Sequence, residues 1–273
     1  MNSQTGKLDV LTFHLGNPTW EQAEKQFAYL AARPEAVLVL TETAHSAGCD
    51  LLHARFTAAG YSVTFPRPPR GERGVMVVSR LATEPGPVHL RYLPHRAVSV
   101  TVQTDTGPLE VIGLSVPPRD GTETKTRRKH AFLQECCMRL PLAASGHRVV
   151  IGSLNIVEPS PTPRDELLQP FEYSFYSWLG SVGYRDAFRQ LHPTKPEHSW
   201  VAPTGDGHRY EQVHVSVGLG AALRACSYVH EPRTRAEPLT EHSPLTMSLA
   251  RQPAEPLRVM DPARTTTPVP GLY

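Results

Sequence analysis

Cysteine is scarce, long apolar runs are missing and the net charge is close to nil, and each shortage closes off a class of protein. The four cysteines, Cys49, Cys136, Cys137 and Cys226, include an adjacent pair but no CxxC spacing. That excludes a zinc-ribbon framework or a disulfide scaffold and predicts reduced, mostly buried thiols. No stretch approaches the roughly 20 apolar residues that a membrane helix needs, and the opening MNSQTGKLDVLTF lacks a basic start followed by an apolar core. The expectation is a cytoplasmic protein with no membrane partner. Lys+Arg 28 against Asp+Glu 26 leaves a formal charge of +2, too little for a coat of nucleic acid. What remains is a chain of 273 residues, 40% hydrophobic and 20% charged, long enough to bury a full-sized core.

Hydrophobic patterning predicts alternating strands and helices, and no 20 to 50 residue repeat interrupts it. A strand over 7–13 precedes a helix capped by Thr19, with Trp20, Ala23, Phe27 and Leu30 on one face. An all-apolar run over 36–40, which reads as a strand covered on both faces, ends at Thr41-Glu42-Thr43. A helix over 50–59 follows, then a strand pair over 61–65 and 74–79 separated by a Pro/Arg-rich loop. Strands over 97–103 and 109–115 flank the hairpin turn Asp105-Thr106-Gly107. A helix over 124–139, with Ala131, Phe132, Cys136 and Leu140 as its stripe, leads to a strand over 147–151. Further on lie a helix over 171–182 and strands over 209–217, 226–230 and 245–249. The Pro-rich segment 252–273 reads as an unstructured tail behind a domain spanning 1–251.

Polar residues gather at the ends of these strands: His14, Glu42, Asn155, Glu211 and Glu241-His242. Ligands bind beyond strand ends in open sheets, where side chains are free of the backbone ladder.

The order of certain segments carries a resemblance. They are Thr12-Phe13-His14, Thr41-Glu42, Gly74-Val75 through Ser79-Arg80, Gly152-Ser153-Leu154-Asn155, and Asp186-Ala187-Phe188-Arg189 with His192-Pro193 and Ser199-Trp200. Arg209-Tyr210-Glu211-Gln212 and Thr240-Glu241-His242-Ser243-Pro244 complete the set. Together they resemble the endonuclease/exonuclease/phosphatase superfamily, which includes the exonuclease III-like and DNase I-like nucleases, over about residues 7–250. The resemblance implies an α/β fold, a four-layer α/β/β/α sandwich of two mixed β-sheets flanked by helices. It implies a phosphoesterase acting on a small-molecule or single-stranded nucleic-acid phosphoester, with Mg²⁺ or Mn²⁺ on Glu42 and Glu241. His242 then donates to a phosphate oxygen, Glu211 orients its ring, Asn155 orients substrate or water, and Arg209 contacts substrate.

Several positions depart from the family pattern. The Asp of the Gly-Asp-x-Asn turn is Ser153, which cannot serve as a base at its ordinary pKa. Loss of a general base costs about 10²–10⁴ in rate. The first-strand Asn is His14, Pro117-Pro118 replaces a Pro-Asn, and Glu211 and Glu241 stand for aspartates. The leading expectation is therefore a divergent metal-dependent phosphoesterase. One alternative is a catalytically degenerate binding module. Another is a repurposed biosynthetic enzyme with His14, Glu42, Glu241 and His242 around Mn, Fe or Zn. The basic runs 67–73 and 125–129 read as phosphate grips or solvated faces. The sequence leaves the oligomeric state open.

Overall fold

A computed structural model describes residues 6–159 and 168–260. Its first sheet contains β1 (Leu8–His14), β2 (Val37–Ala44), β3 (Ser62–Thr64), β4 (Arg73–Ser79), β13 (Leu223–Tyr228) and β14 (Leu245–Leu249), in the order β13-β14-β1-β2-β4-β3. The second contains β5 (Glu84–Pro85), β6 (Ala97–Thr104), β7 (Gly107–Ser115), β8 (His147–Ser153), β9 (Tyr184–Asp186) and β12 (Glu211–Ser216), in the order β5-β6-β7-β8-β12-β9. A separate ribbon pairs β10 (Trp200–Val201) with β11 (Gly207–His208). Both large sheets are mixed: β1 runs parallel to β2 and β7 to β8, while their other pairings are antiparallel.

Period-two patterning explains the layering. On β1 and β2, Leu8, Val10, Val37 and Val39 face the second sheet, packing with Val98, Val111, Val149 and Val213. The alternate residues Leu11, Phe13, Leu38 and Leu40 turn outward onto helices α1 (Trp20–Ala31) and α2 (Ala47–Ala58). The outer face of the second sheet is covered by α3 (Glu123–Arg139) and α4 (Pro170–Ser181), through Phe132, Leu133, Phe175 and Leu179. The four expected layers are present. Among the described residues no helix is long and apolar enough to cross a membrane.

Local signals read from sequence recur in the structure. Thr19 caps α1 by accepting from Gln22 N at 3.3 Å. Asp105 and Thr106 turn the β6–β7 hairpin, with Thr104 opposite Gly107. Three expectations need correction. Strand β13 begins at Leu223 rather than 226, because it pairs along the whole of β14. Helix α3 buries Phe132, Leu133 and Cys136, with Ala131 only partly covered. The unstructured tail does not start at 252. Residues 252–260 form a strap, with Ala254 N on Gln103 O at 2.9 Å, Leu257 N on Arg80 O at 2.7 Å and Met260 N on Ala59 O at 2.8 Å. The rest of that expected tail, 261–273, lies outside the described residues.

Candidate functional site

Two rows of side chains meet where the sheets end. On the second sheet, Ser115 of β7 pairs in register with Ser153 of β8, and Ser153 with Glu211 of β12. On the first sheet, His14 of β1 pairs with Thr41 of β2. Hydrogen bonds join the rows. Ser153 Oγ donates to Glu211 Oε1 at 2.7 Å and lies 2.8 Å from Thr41 Oγ1, which therefore donates to it. Ser153 is fully buried.

Glu211 presents both carboxylate oxygens, at 2.8 and 2.9 Å, to His242 Nδ1. Burial opposes ionisation of Glu211, but the charges of His242 and His14 and the bonds from His242 and Ser199 hold its pKa down to about 2. The converse holds for His242: burial lowers its pKa, but Glu211 outweighs it and the net shift is upward. His242 Nδ1 thus carries a proton toward Glu211, and Nε2 is left to act as donor. The ring of His14 stacks on that of His242, with centroids 4.0 Å apart and planes within 3°. Burial, followed by the like charge of His242, depresses the His14 pKa to about 4, so His14 is neutral near pH 7. Its Nδ1 is buried without a hydrogen-bond partner among the described residues.

The loop bearing His242 is held by several short contacts. Thr240 Oγ1 donates to His14 O at 2.7 Å, and Ser243 N donates to Ser199 O at 2.7 Å. Ser199 Oγ accepts from Tyr210 N at 2.8 Å and Glu211 N at 3.1 Å, so one serine fixes both Glu211 and the His242 loop. From sequence Ser199 carries only the family resemblance.

Glu42 sits in a bulge of β2 with φ +55°, a left-handed conformation costly for a residue with a Cβ. Its Oε1 accepts from Ser115 Oγ at 2.7 Å and Arg96 Nη1 at 3.3 Å, and its Oε2 lies 3.9 Å from Arg73 Nε. Arg96 lies in a 3-10 turn, Pro94–Arg96, that reaches this place because Gly74 has no side chain. A Cβ there would come within 2.6 Å of His95 O. Gly152, at φ +148°, likewise tolerates no Cβ, which would meet Leu114 O at 2.0 Å just before Ser153.

Other expected site residues lie elsewhere or do something else. Arg209 is buried, bonded to Asp186 and 3.4 Å from Glu158, with its guanidinium over the Phe188 ring. These contacts hold it in an internal ion pair, while its Nε and Nη1 have no hydrogen-bond partner among the described residues. Asn155, at φ +49°, donates its amide to Val116 O at 2.7 Å and accepts from Lys129 at its carbonyl, closing a turn. Glu241 is exposed. The basic runs are largely paired: Arg67 with Asp50, Lys125 with Asp120, Arg128 with Glu72 and Lys129 with Glu172.

The donor set does not fit the Mg²⁺ or Mn²⁺ that the resemblance implies. A hard cation needs carboxylate oxygens open to it. Those of Glu42 face a hydroxyl and two guanidinium groups, and Glu241 stands out in solvent. Among the described residues no three His, Cys, Asp or Glu side chains gather as a cation site, so the mixed Mn, Fe or Zn centre finds no support either.

No protein-family model and no curated protein matches the sequence. Solved structures do match. A 3′-5′ exonuclease from Neisseria meningitidis is 22% identical with TM-score 0.74, covering 89% of this chain and 99% of that one. A 3′ phosphatase from Neisseria bound to product DNA hairpin gives the same figures. An AP endonuclease from Archaeoglobus fulgidus is 20% identical with TM-score 0.69, over 88% of this chain and 98% of its own. One from Leishmania major is 18% identical with TM-score 0.71, over 90% and 88%. At these identities the likeness establishes the fold: two mixed sheets flanked by helices, as in exonuclease III-like and DNase I-like proteins.

Proposed function

We propose that the protein is a divergent phosphoesterase, acting on the phosphate ester of a small molecule or of a single-stranded nucleic acid. The observation that carries this reading is the grip of both Glu211 oxygens on His242 Nδ1, at 2.8 and 2.9 Å. The Glu211 carboxylate raises the pKa of a histidine held in that way, and in its protonated form the ring offers Nε2–H to a non-bridging phosphate oxygen, where negative charge grows in the transition state. Neighbours of the same fold with nuclease and phosphatase names support the substrate class by analogy. The half of the reaction that activates water is depleted, since the buried Ser153 donates its only proton to Glu211 and has no basic group to offer. Slow turnover is the expectation.

The buried Ser153 also favours a second reading, a binding module that holds a phosphoester without cleaving it. One series of assays separates the two. Purified protein is offered p-nitrophenyl phosphate, bis-p-nitrophenyl phosphate and a 3′-phosphorylated single-stranded oligonucleotide. Slow cleavage that is lost in His242→Asn, and raised about 10²–10⁴-fold by Ser153→Asp, supports the enzyme. The introduced carboxyl lies against Glu211, and like-charge repulsion lifts its pKa toward that of a working base. Binding of the oligonucleotide with no cleavage in either protein supports the module. Neither binding nor cleavage removes both.

A further inference from the structure

Protein groups already balance the charge of Glu42. Arg96 Nη1 lies 3.3 Å from Glu42 Oε1, 3.1 Å from Ser115 O and 3.4 Å from Ser115 Oγ, and the Arg96 side chain is only 5% exposed. Arg73 Nε approaches the other carboxylate oxygen at 3.9 Å and is partly open to solvent. Ser115 Oγ, 2.7 Å from the same oxygen as Arg96, completes the set. A divalent ion at Glu42 would have to share the carboxylate with a buried guanidinium, whose like charge opposes it in a low-dielectric setting. Nor is Arg96 satisfied by these contacts alone. Its Nε is buried and has no hydrogen-bond partner among the described residues. A planar guanidinium with a spare N–H, held on the carboxylate whose charge also reaches His14 and His242, is suited to a phosphate group, which it can engage through fixed, parallel donors.

We propose that Arg96, supported by Arg73, occupies the electrostatic place of a divalent cation beside Glu42, so that this chain engages a phosphate group through protein guanidinium and needs no metal to do so. The substitution of cation by arginine stands on the Glu42 contacts alone; the choice of phosphate as ligand rests on the phosphoester reading of the site. Both arginines reach Glu42 through local features of the fold. Arg96 arrives on a turn admitted by Gly74, and Arg73 opens β4 beside the β2 bulge.

The test uses the full chain after treatment with EDTA. Mn²⁺ is titrated in and its free fraction followed by electron paramagnetic resonance, while inorganic phosphate binding is measured by calorimetry in EDTA and again in Mg²⁺. The proposal expects no saturable Mn²⁺ site that depends on Glu42, and phosphate affinity that is the same in EDTA and in Mg²⁺. In Arg96→Gln, phosphate affinity drops about tenfold, the loss of roughly one charge-assisted contact, and a Mn²⁺ site appears. Uptake of one Mn²⁺ by the wild-type protein that Glu42→Gln abolishes overturns the proposal, as does phosphate binding that requires Mg²⁺. Should Arg96→Gln fail to fold, the wild-type titration still decides, and Arg73→Gln supplies a milder variant. If phosphate is bound in neither buffer, the phosphoester reading fails while the Mn²⁺ result still judges the arginine substitution on its own.

Discussion

Two clusters of buried charge flank the second sheet, and only one of them is finished by the protein itself. Under α3 and α4, the fully buried Glu172 accepts from Lys129, from Arg119 Nε at 2.8 Å and from Gln169 N at 2.7 Å, while Lys129 also donates to Asn155 O. Every charge there meets an opposite one, and little is left for a ligand. At the strand ends, Glu211 is equally buried, yet among the described residues its partner His242 has Nε2 to spare and the neighbouring His14 keeps an orphan nitrogen. Buried charge by itself therefore says little about function. At the strand ends the incomplete set coincides with converging histidines and carboxylates, and an unsatisfied buried polar group there is costly unless something binds.

The contrast breaks most readily at Glu172. Glu172→Leu leaves Lys129 buried without its carboxylate, and the expected loss is about 3–5 kcal/mol in urea denaturation. A midpoint close to that of the wild type would mean the finished cluster is dispensable. The open cluster answers to pH instead. His14 has a pKa near 4 when folded and an ordinary value of 6.5 otherwise. As pH falls below 6.5 the unfolded chain takes up a proton that the folded chain refuses, so stability is lost down to about pH 4. The loss amounts to roughly 3 kcal/mol by linkage, and His14→Gln should flatten that part of the profile.

Glu211→Gln removes the carboxylate from His242 at a cost of about 1.5–3 kcal/mol, the range for a hydrogen bond to a charged group. Because burial, the largest influence on His242, is then opposed only by the charges of Glu241 and Glu42, its pKa should fall below the ordinary histidine value in an NMR titration. A pKa that stays raised would assign the shift to Glu241 and Glu42 instead. Ser199→Ala comes last, at about 1 kcal/mol, through the unmet N–H groups of Tyr210 and Glu211. Its sharper readout is a weakened oligonucleotide or phosphate affinity without change in the circular dichroism of the fold.

Much of this arrangement can be read before any coordinates, and the parts that cannot share a cause. The run over 36–40, the Thr19 cap and the 105–107 turn announce themselves within a few residues, because period and turn chemistry are local. His14, Glu42, Glu211 and His242 are legible as strand-end residues and Ser153 through the resemblance, and these five meet at one rim, whereas Asn155 closes a turn and Glu241 is exposed. Arg96 is not legible. Its contact with Glu42 spans 54 positions and depends on a missing Cβ at Gly74. Arg209 misleads in the opposite sense: a basic residue beside Glu211 in sequence turns to Asp186 in space. Nor does any periodicity mark Lys129, which sits among exposed basic residues along α3 yet is itself buried. Local pattern reports where a strand ends, and only packing reports what its last side chain meets.

The strap over 252–260 has a mechanical consequence. It touches the β6–β7 hairpin at Gln103 and Asp105, then the residue after β4 at Arg80, then the end of α2 at Ala59. Tension applied at the C-terminal side would peel these anchors one at a time, from the helix layer inward, before loading either sheet. The first anchor to give is the single hydrogen bond from Met260 N to Ala59 O, whereas shortening the chain to residue 251 removes the whole strap from the strand ends opposite the rim.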